Sequence, residues 1–157
     1  MAERLALSYL VRLRAAGFVT SSAGTHALAG HPIEPHAARI VEKLGGDASD
    51  FLSQRLTPKI VNDADLVLTM TTAHRDDVLK VAPRQLNRTF TLSEAAQLVL
   101  QCGATNVADL AACRPELAAN LLTDVPDPIG QDEGFFAEIG AQIYNLLPPV
   151  LDLCQRG

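Results

Sequence analysis

A chain of 157 residues is long enough for one domain with a sizeable core and too short for two ordinary ones, so a single domain over residues 1–157 is expected. Hydrophobic residues make up 48% and charged residues 20%, with no repeat or low-complexity run, as in soluble globular proteins, and the apolar runs break well before the roughly 18 residues of a membrane span. A formal charge of −5 without a basic cluster argues against a nucleic-acid surface.

The N-terminus, Met-Ala-Glu-Arg-Leu-Ala-Leu-Ser-Tyr-Leu, carries an early Glu and an amphipathic pattern in place of a signal peptide's basic start and apolar block. Ala6, Leu7, Leu10, Val11 and Leu13 form an apolar stripe opposite Arg4, Ser8 and Arg12, and Gly17 is a natural stop, so the chain opens in a helix. Phe18 to Ala23 reads as a strand, followed by a loop and a helix from Pro35 to Leu44 ended by Gly45-Gly46. Thr57-Pro58 caps and opens a short helix. Asp65 to Met70, "DLVLTM", is a nearly continuous apolar run, as in a strand covered on both faces. Thr72 caps a helix through Val81, "RTFTL" is a third strand, and Ser93-Glu94 opens a helix to about Gln101. The last helix is expected over about Asp132 to Leu147, where Pro148-Pro149 must end or kink it. Strands alternating with helices imply an α/β sandwich on a parallel sheet, yet the opening strand usual in such sheets is missing.

In "LTDVPDPIG", Leu122 to Gly130, Pro126 and Pro128 leave Asp127 little backbone freedom. A carboxyl held that stiffly suits proton transfer; the alternative is a cap for a helix beginning near Gln131. Three cysteines, an odd count, point to free thiols in a reducing, cytoplasmic compartment. His26, His31 and His36 match no familiar zinc spacing and, with His74, read as surface residues; no metal is expected.

"MAER", "SSAGTHALAGHP", "LTPKIVNDADLVLTMTTAH", "RTFTL" and "DVPDPIG" follow one another with order and spacing similar to the low-molecular-weight protein-tyrosine phosphatases, especially the bacterial members, including those linked to exopolysaccharide regulation. The resemblance runs from Met1 to Cys154. It implies a phosphotyrosine protein phosphatase I-like fold, a three-layer sandwich on a short parallel sheet. In that family a phosphate-binding Cys-x5-Arg loop is followed by Ser-Pro and then Met-Ala-Glu, so this chain resembles an N-terminally truncated domain starting at that Met, with the first central strand missing. Six positions after Cys102 stands Ala108, after Cys113 stands Ala119, and Cys154 has no such position, so no cysteine here can head the loop.

The resemblance implies phosphotyrosine dephosphorylation through a phosphocysteine in the complete family protein, without a cofactor, on a phosphotyrosine protein or small aryl phosphate. Asp127 would be the general acid. Ser22 would brace the phosphate loop, and Asp124 reads as a solvated turn residue. Ile129-Gly130 replaces the tyrosines that eukaryotic members carry after Asp-Pro. Cys102 and Cys113 resemble, at a distance, the resolving thiols of arsenate reductases, though buried or inert thiols fit their Ala-rich helical setting better. The chain alone is expected to be inactive. The alternatives are a non-catalytic binding or regulatory module and an arsenate-reductase-like redox enzyme. The family order would put the missing strand between Phe18–Ser22 and Leu66–Met70, so those strands must close up, self-associate with a second chain in the slot, or be poorly stable.

Overall fold

The computed structural model describes residues 1–156. The chain divides into two compact units, one of Met1–Arg55 with Asp127–Pro148, the other of Leu56–Pro126 with the segment from Pro149 onward.

In the first unit, helix α1 (Ala2–Arg12) buries Leu5, Ala6 and Leu10. The expected stripe is rotated: Leu7, Leu13 and Val11, the last 66% exposed, face outward. The polar side supplies the reason. Arg4 Nη2 donates to the Ser49 carbonyl at 2.5 Å and Ser8 Oγ to the Gly45 carbonyl at 2.6 Å, which fastens that side to the turn after the second helix. The helix also stops before Gly17, because Arg14 adopts a left-handed φ of 53°. Helix α2 (Pro35–Lys43) starts where Glu34 accepts from Ala37 N at 2.8 Å, with proline at its first position, and Gly45 at φ 81° turns the chain away.

The expected strand over Phe18 to Ala23 does not form. Extended backbone gains little without a partner ladder, and here Val19 is 94% exposed; the nearby parallel pairing is one isolated bridge, Gly24 to Arg55. The last helix, α7 (Glu133–Arg156), contributes Phe136, which packs with Ala37 and Ile40 against Met1, Ile33 and Leu44.

The second unit contains the sheet. Helix α3 (Pro58–Asp63) is capped by Thr57, whose side chain accepts from Ile60 N. Strand β1 (Val67–Thr69) leads to helix α4 (Thr72–Val81), a 3-10 turn over Pro83–Arg88 and strand β2 (Thr89–Thr91). The strands pair in parallel with Leu68 opposite Phe90, so the fold class is α/β on a short parallel sheet. Both are shorter than expected: Arg88 belongs to the turn and Leu92 to the next helix. β2 is fully buried, whereas Val67 and Leu68 of β1 are half-buried.

Thr71, not Thr72, caps α4 by accepting from His74 N. Helix α5 (Leu92–Cys102) opens with a capping box between Thr91 and Glu94, one residue earlier than expected, and Gly103 closes it at φ 68°. Helix α6 (Val107–Cys113) is capped by Asn106. Helix α7 (Glu133–Arg156) does not end at Pro148-Pro149. Burial of Val150, Leu151 and Leu153 keeps its last turns helical despite the missing donors. Among the described residues, no helix is long and apolar enough to cross a membrane.

Candidate active site

Residues 123–125 are fastened at three successive positions. Ser93 Oγ donates to the Thr123 carbonyl in a short hydrogen bond. Thr72 N, in the first turn of α4, donates to Asp124 Oδ1 at 2.9 Å, and Thr72 Oγ1 to Oδ2 at 3.3 Å. Val125 N donates to the Met70 carbonyl at 2.8 Å, and the Val125 side chain is buried. Asp124 is therefore more than the solvated turn residue expected from sequence. It is exposed, yet its carboxylate meets the N-terminal end of α4, where free N–H groups and the helix dipole favour negative charge.

Asp127 is exposed, and its Oδ1 accepts from Ile129 N at 3.0 Å, a side-chain turn spanning Pro128. Gln131 N donates to the Pro128 carbonyl at 3.0 Å, with Gly130 at φ 81° completing the bend. Asp127 does not cap the following helix. Asp132 does, accepting from Phe135 N at 2.9 Å. The arrangement leaves Asp127 as an exposed carboxyl on a stiff turn, with one oxygen held by its own backbone.

Ser22 donates from Oγ to Glu3 Oε2 at 2.6 Å, and its carbonyl accepts from Gln54 Nε2 at 2.9 Å. It thus ties the extended segment to the first turn of α1. In the same turn, burial pushes the Met1 amine below its ordinary pKa, with the Glu3 carboxylate acting in the opposite direction. Glu3, Thr72 and Ser93 were not singled out from sequence as site residues; Thr72 and Ser93 were read only as helix-opening residues. Their partners lie 19, 52 and 30 positions away, and no local pattern marks such pairs.

Cys102 and Cys113 end α5 and α6, and Cys154 lies in α7; all three are free and half-buried. Desolvation raises the pKa of Cys113, assisted by Cys102, and that of Cys154, assisted by Asp65, the reverse of what an activated thiolate needs. His36 is not a bare surface residue: its ring stacks on Phe136 at 5.3 Å and its Nδ1 lies 2.8 Å from Glu34 Oε1. Among the described residues, no three His, Cys, Asp or Glu side chains gather as a metal site.

The family model of low molecular weight phosphotyrosine protein phosphatases matches residues 1–109. A probable low molecular weight protein-tyrosine-phosphatase, EpsP of Ralstonia solanacearum, is 35% identical over 88 residues, covering 56% of this chain and 61% of that protein. The chain thus spans about three fifths of the length of this curated relative. An arsenate reductase of Brevibacillus brevis is 37% identical over 67 residues, 43% of this chain and 47% of that protein. The crystal structure of a low molecular weight protein tyrosine phosphatase from T. tengcongensis superposes with a TM-score of 0.76 at 22% identity, covering 96% of this chain and 87% of that one, a likeness of fold.

Proposed function

We infer function from one premise: the chain belongs to the low molecular weight phosphotyrosine protein phosphatase family. The reading it supports best is dephosphorylation of a phosphotyrosine protein or small aryl phosphate. A cysteine thiolate attacks phosphorus and the P–O bond to the phenol breaks; Asp127 gives its proton to the leaving oxygen. The Asp127 carboxylate then takes a proton from the water that hydrolyses the phosphocysteine, releasing phosphate and restoring the thiolate. The observation carrying this reading is Asp127 itself, on a turn stiffened by Pro126 and Pro128 and closed by the bond from Ile129 N.

The 157 residues contain no cysteine followed six positions later by arginine, so they supply the acid and not the nucleophile or phosphate cradle. The purified chain is expected to hydrolyse para-nitrophenyl phosphate at background rate. A version carrying a strand and a Cys-x5-Arg loop ahead of Met1 should be active, and Asp127→Ala should lower its rate about 100-fold or more for poor phenol leaving groups. Ordinary enzymatic turnover by the chain with all three cysteines alkylated, or an extended protein indifferent to Asp127→Ala, would sink the reading.

The arsenate reductase relative supports a second reading, redox chemistry on arsenate. Arsenate-dependent oxidation of Cys102 and Cys113 in the extended protein, with no phosphatase activity, would favour it. We further assign the protein to a reducing, cytoplasmic compartment on its three free thiols. Self-association is proposed through the unfilled strand slot beside the Phe18–Ser22 stretch, which carries exposed Phe18 and Val19 and forms no ladder.

A further inference from the structure

We propose that Asp124 is a positioning residue for Asp127: its carboxylate holds the backbone from which the acid projects. The proposal rests on the reading of Asp127 as the acid, and the geometry is independent of that reading. Three consecutive residues are fixed at three separate places. Thr123 is held through its carbonyl by Ser93 of α5. Asp124 accepts both from Thr72 N and from Thr72 Oγ1 at the start of α4. Val125 is held through its N–H by Met70, just past β1, and by burial of its side chain.

From Val125 the chain has one residue, Pro126, before Asp127. Proline fixes φ near −65° and restricts the residue before it, so little torsional slack remains between the anchored backbone and the acid. Beyond the acid, Pro128 and the bond from Ile129 N close the turn. Asp124 is the one member of the anchor that acts through a charged side chain, on a helix end where a carboxylate is favoured. Backbone N–H to carboxylate bonds are stronger than neutral ones, so removing this carboxylate should loosen the anchor.

The test is nuclear magnetic resonance on the isotopically labelled 157-residue chain, reading backbone order parameters at Asp127 and Ile129. In the parent chain these should be near 0.85, as for rigid backbone, and in Asp124→Ala they should fall below about 0.6. Asp124→Asn keeps an oxygen for Thr72 N and should restore most of the order. Asp109→Ala, which removes a comparable carboxylate that accepts from Thr105 at the start of α6, should leave Asp127 unchanged. Should Asp124→Ala fail to fold, Ser93→Ala removes a neighbouring anchor and should loosen Asp127 to a smaller degree. Unchanged order at Asp127 in the folded Asp124→Ala chain, or in Ser93→Ala where that is the chain that folds, overturns the proposal. So does a loss spread equally over all amides and following only the melting temperature. No arm of this experiment requires turnover, so its failure is separate from failure of the phosphatase reading.

Discussion

Arg114 and Glu94 form an ion pair in which Nε lies 2.9 Å from Oε1, and Glu94 is buried at 2% exposure. The same guanidinium lies 4.1 Å over the ring of Phe90 and donates to the carbonyls of Leu86 at 3.0 Å and Thr89 at 2.6 Å. Arg75 approaches the other Glu94 oxygen at 3.7 Å. One arginine therefore joins β2, the turn before it and the capping box of α5. Arg114→Ala should cost about 3 kcal/mol in urea unfolding, the low end for breaking a buried pair because Arg75 remains. Arg114→Lys should recover less than half, since an ammonium cannot reproduce the fork. A loss below about 1 kcal/mol would show that the pair is not holding these elements.

Gly140 meets Ile40 so closely that a Cβ on it would lie 2.3 Å from Ile40 Cγ2. Inside a helix, Gly to Ala ordinarily gains about 1 kcal/mol, whereas overpacking a core costs about 1 to 3 kcal/mol. Ile40 is buried and the contact is to a methyl on its stiff, branched Cβ, so the clash should win. Gly140→Ala is expected to lower stability by about 1 kcal/mol in chemical denaturation, and Ile40→Ala in the same chain should remove that increment. A more stable Gly140→Ala chain would contradict the close packing of α2 on α7.

The thiol pKa values give a pH dependence. Cys113 and Cys154 are raised above the ordinary value of 9.0 by desolvation, so the folded chain holds their protons where the unfolded chain releases them. The stability they contribute is full below that ordinary value and is lost as pH rises through the raised values. Melting temperature should thus decline above pH 9, and Cys154→Ala should reduce the decline. Iodoacetamide labelling of both thiols in the folded chain should be slow at pH 7.5 and rise steeply only above pH 9. Rapid labelling of Cys154 at neutral pH would contradict this account.

Self-association through the extended segment predicts that the light-scattering mass of the purified chain rises with concentration. Val19→Lys places a charge on the most exposed apolar position of that segment and should return the mass toward one chain. A mass of one chain at every concentration, or one insensitive to Val19→Lys, would remove the proposal.

Local signals in the sequence were good guides where chemistry and partner lie close together. Thr57 before Pro58, Pro35 at a helix start and Gly45 at its end behave as their types dictate. The apolar run around Val67 and the helix after it foretold a parallel sheet. Signals failed where the deciding partner is remote. The inward side of α1 is set by the carbonyls of Gly45 and Ser49, which no helical periodicity reveals. The β-branched stretch after Gly17 has strand propensity and no ladder to join. The stiff turn at Asp127 was legible because its prolines are its neighbours, whereas the clamp of Asp124 on Thr72 spans 52 positions.

Helix α7 is continuous through Pro148 and Pro149. Neither proline has an N–H, so the carbonyls of Tyr144 and Asn145 have no donor four residues ahead in the helix. The helix is therefore weaker at this point than along the rest of its length. Fraying that starts at the C-terminal turns meets a seam where cooperativity is already interrupted, and it can stop there without unwinding the turns that carry Phe136 and Gly140.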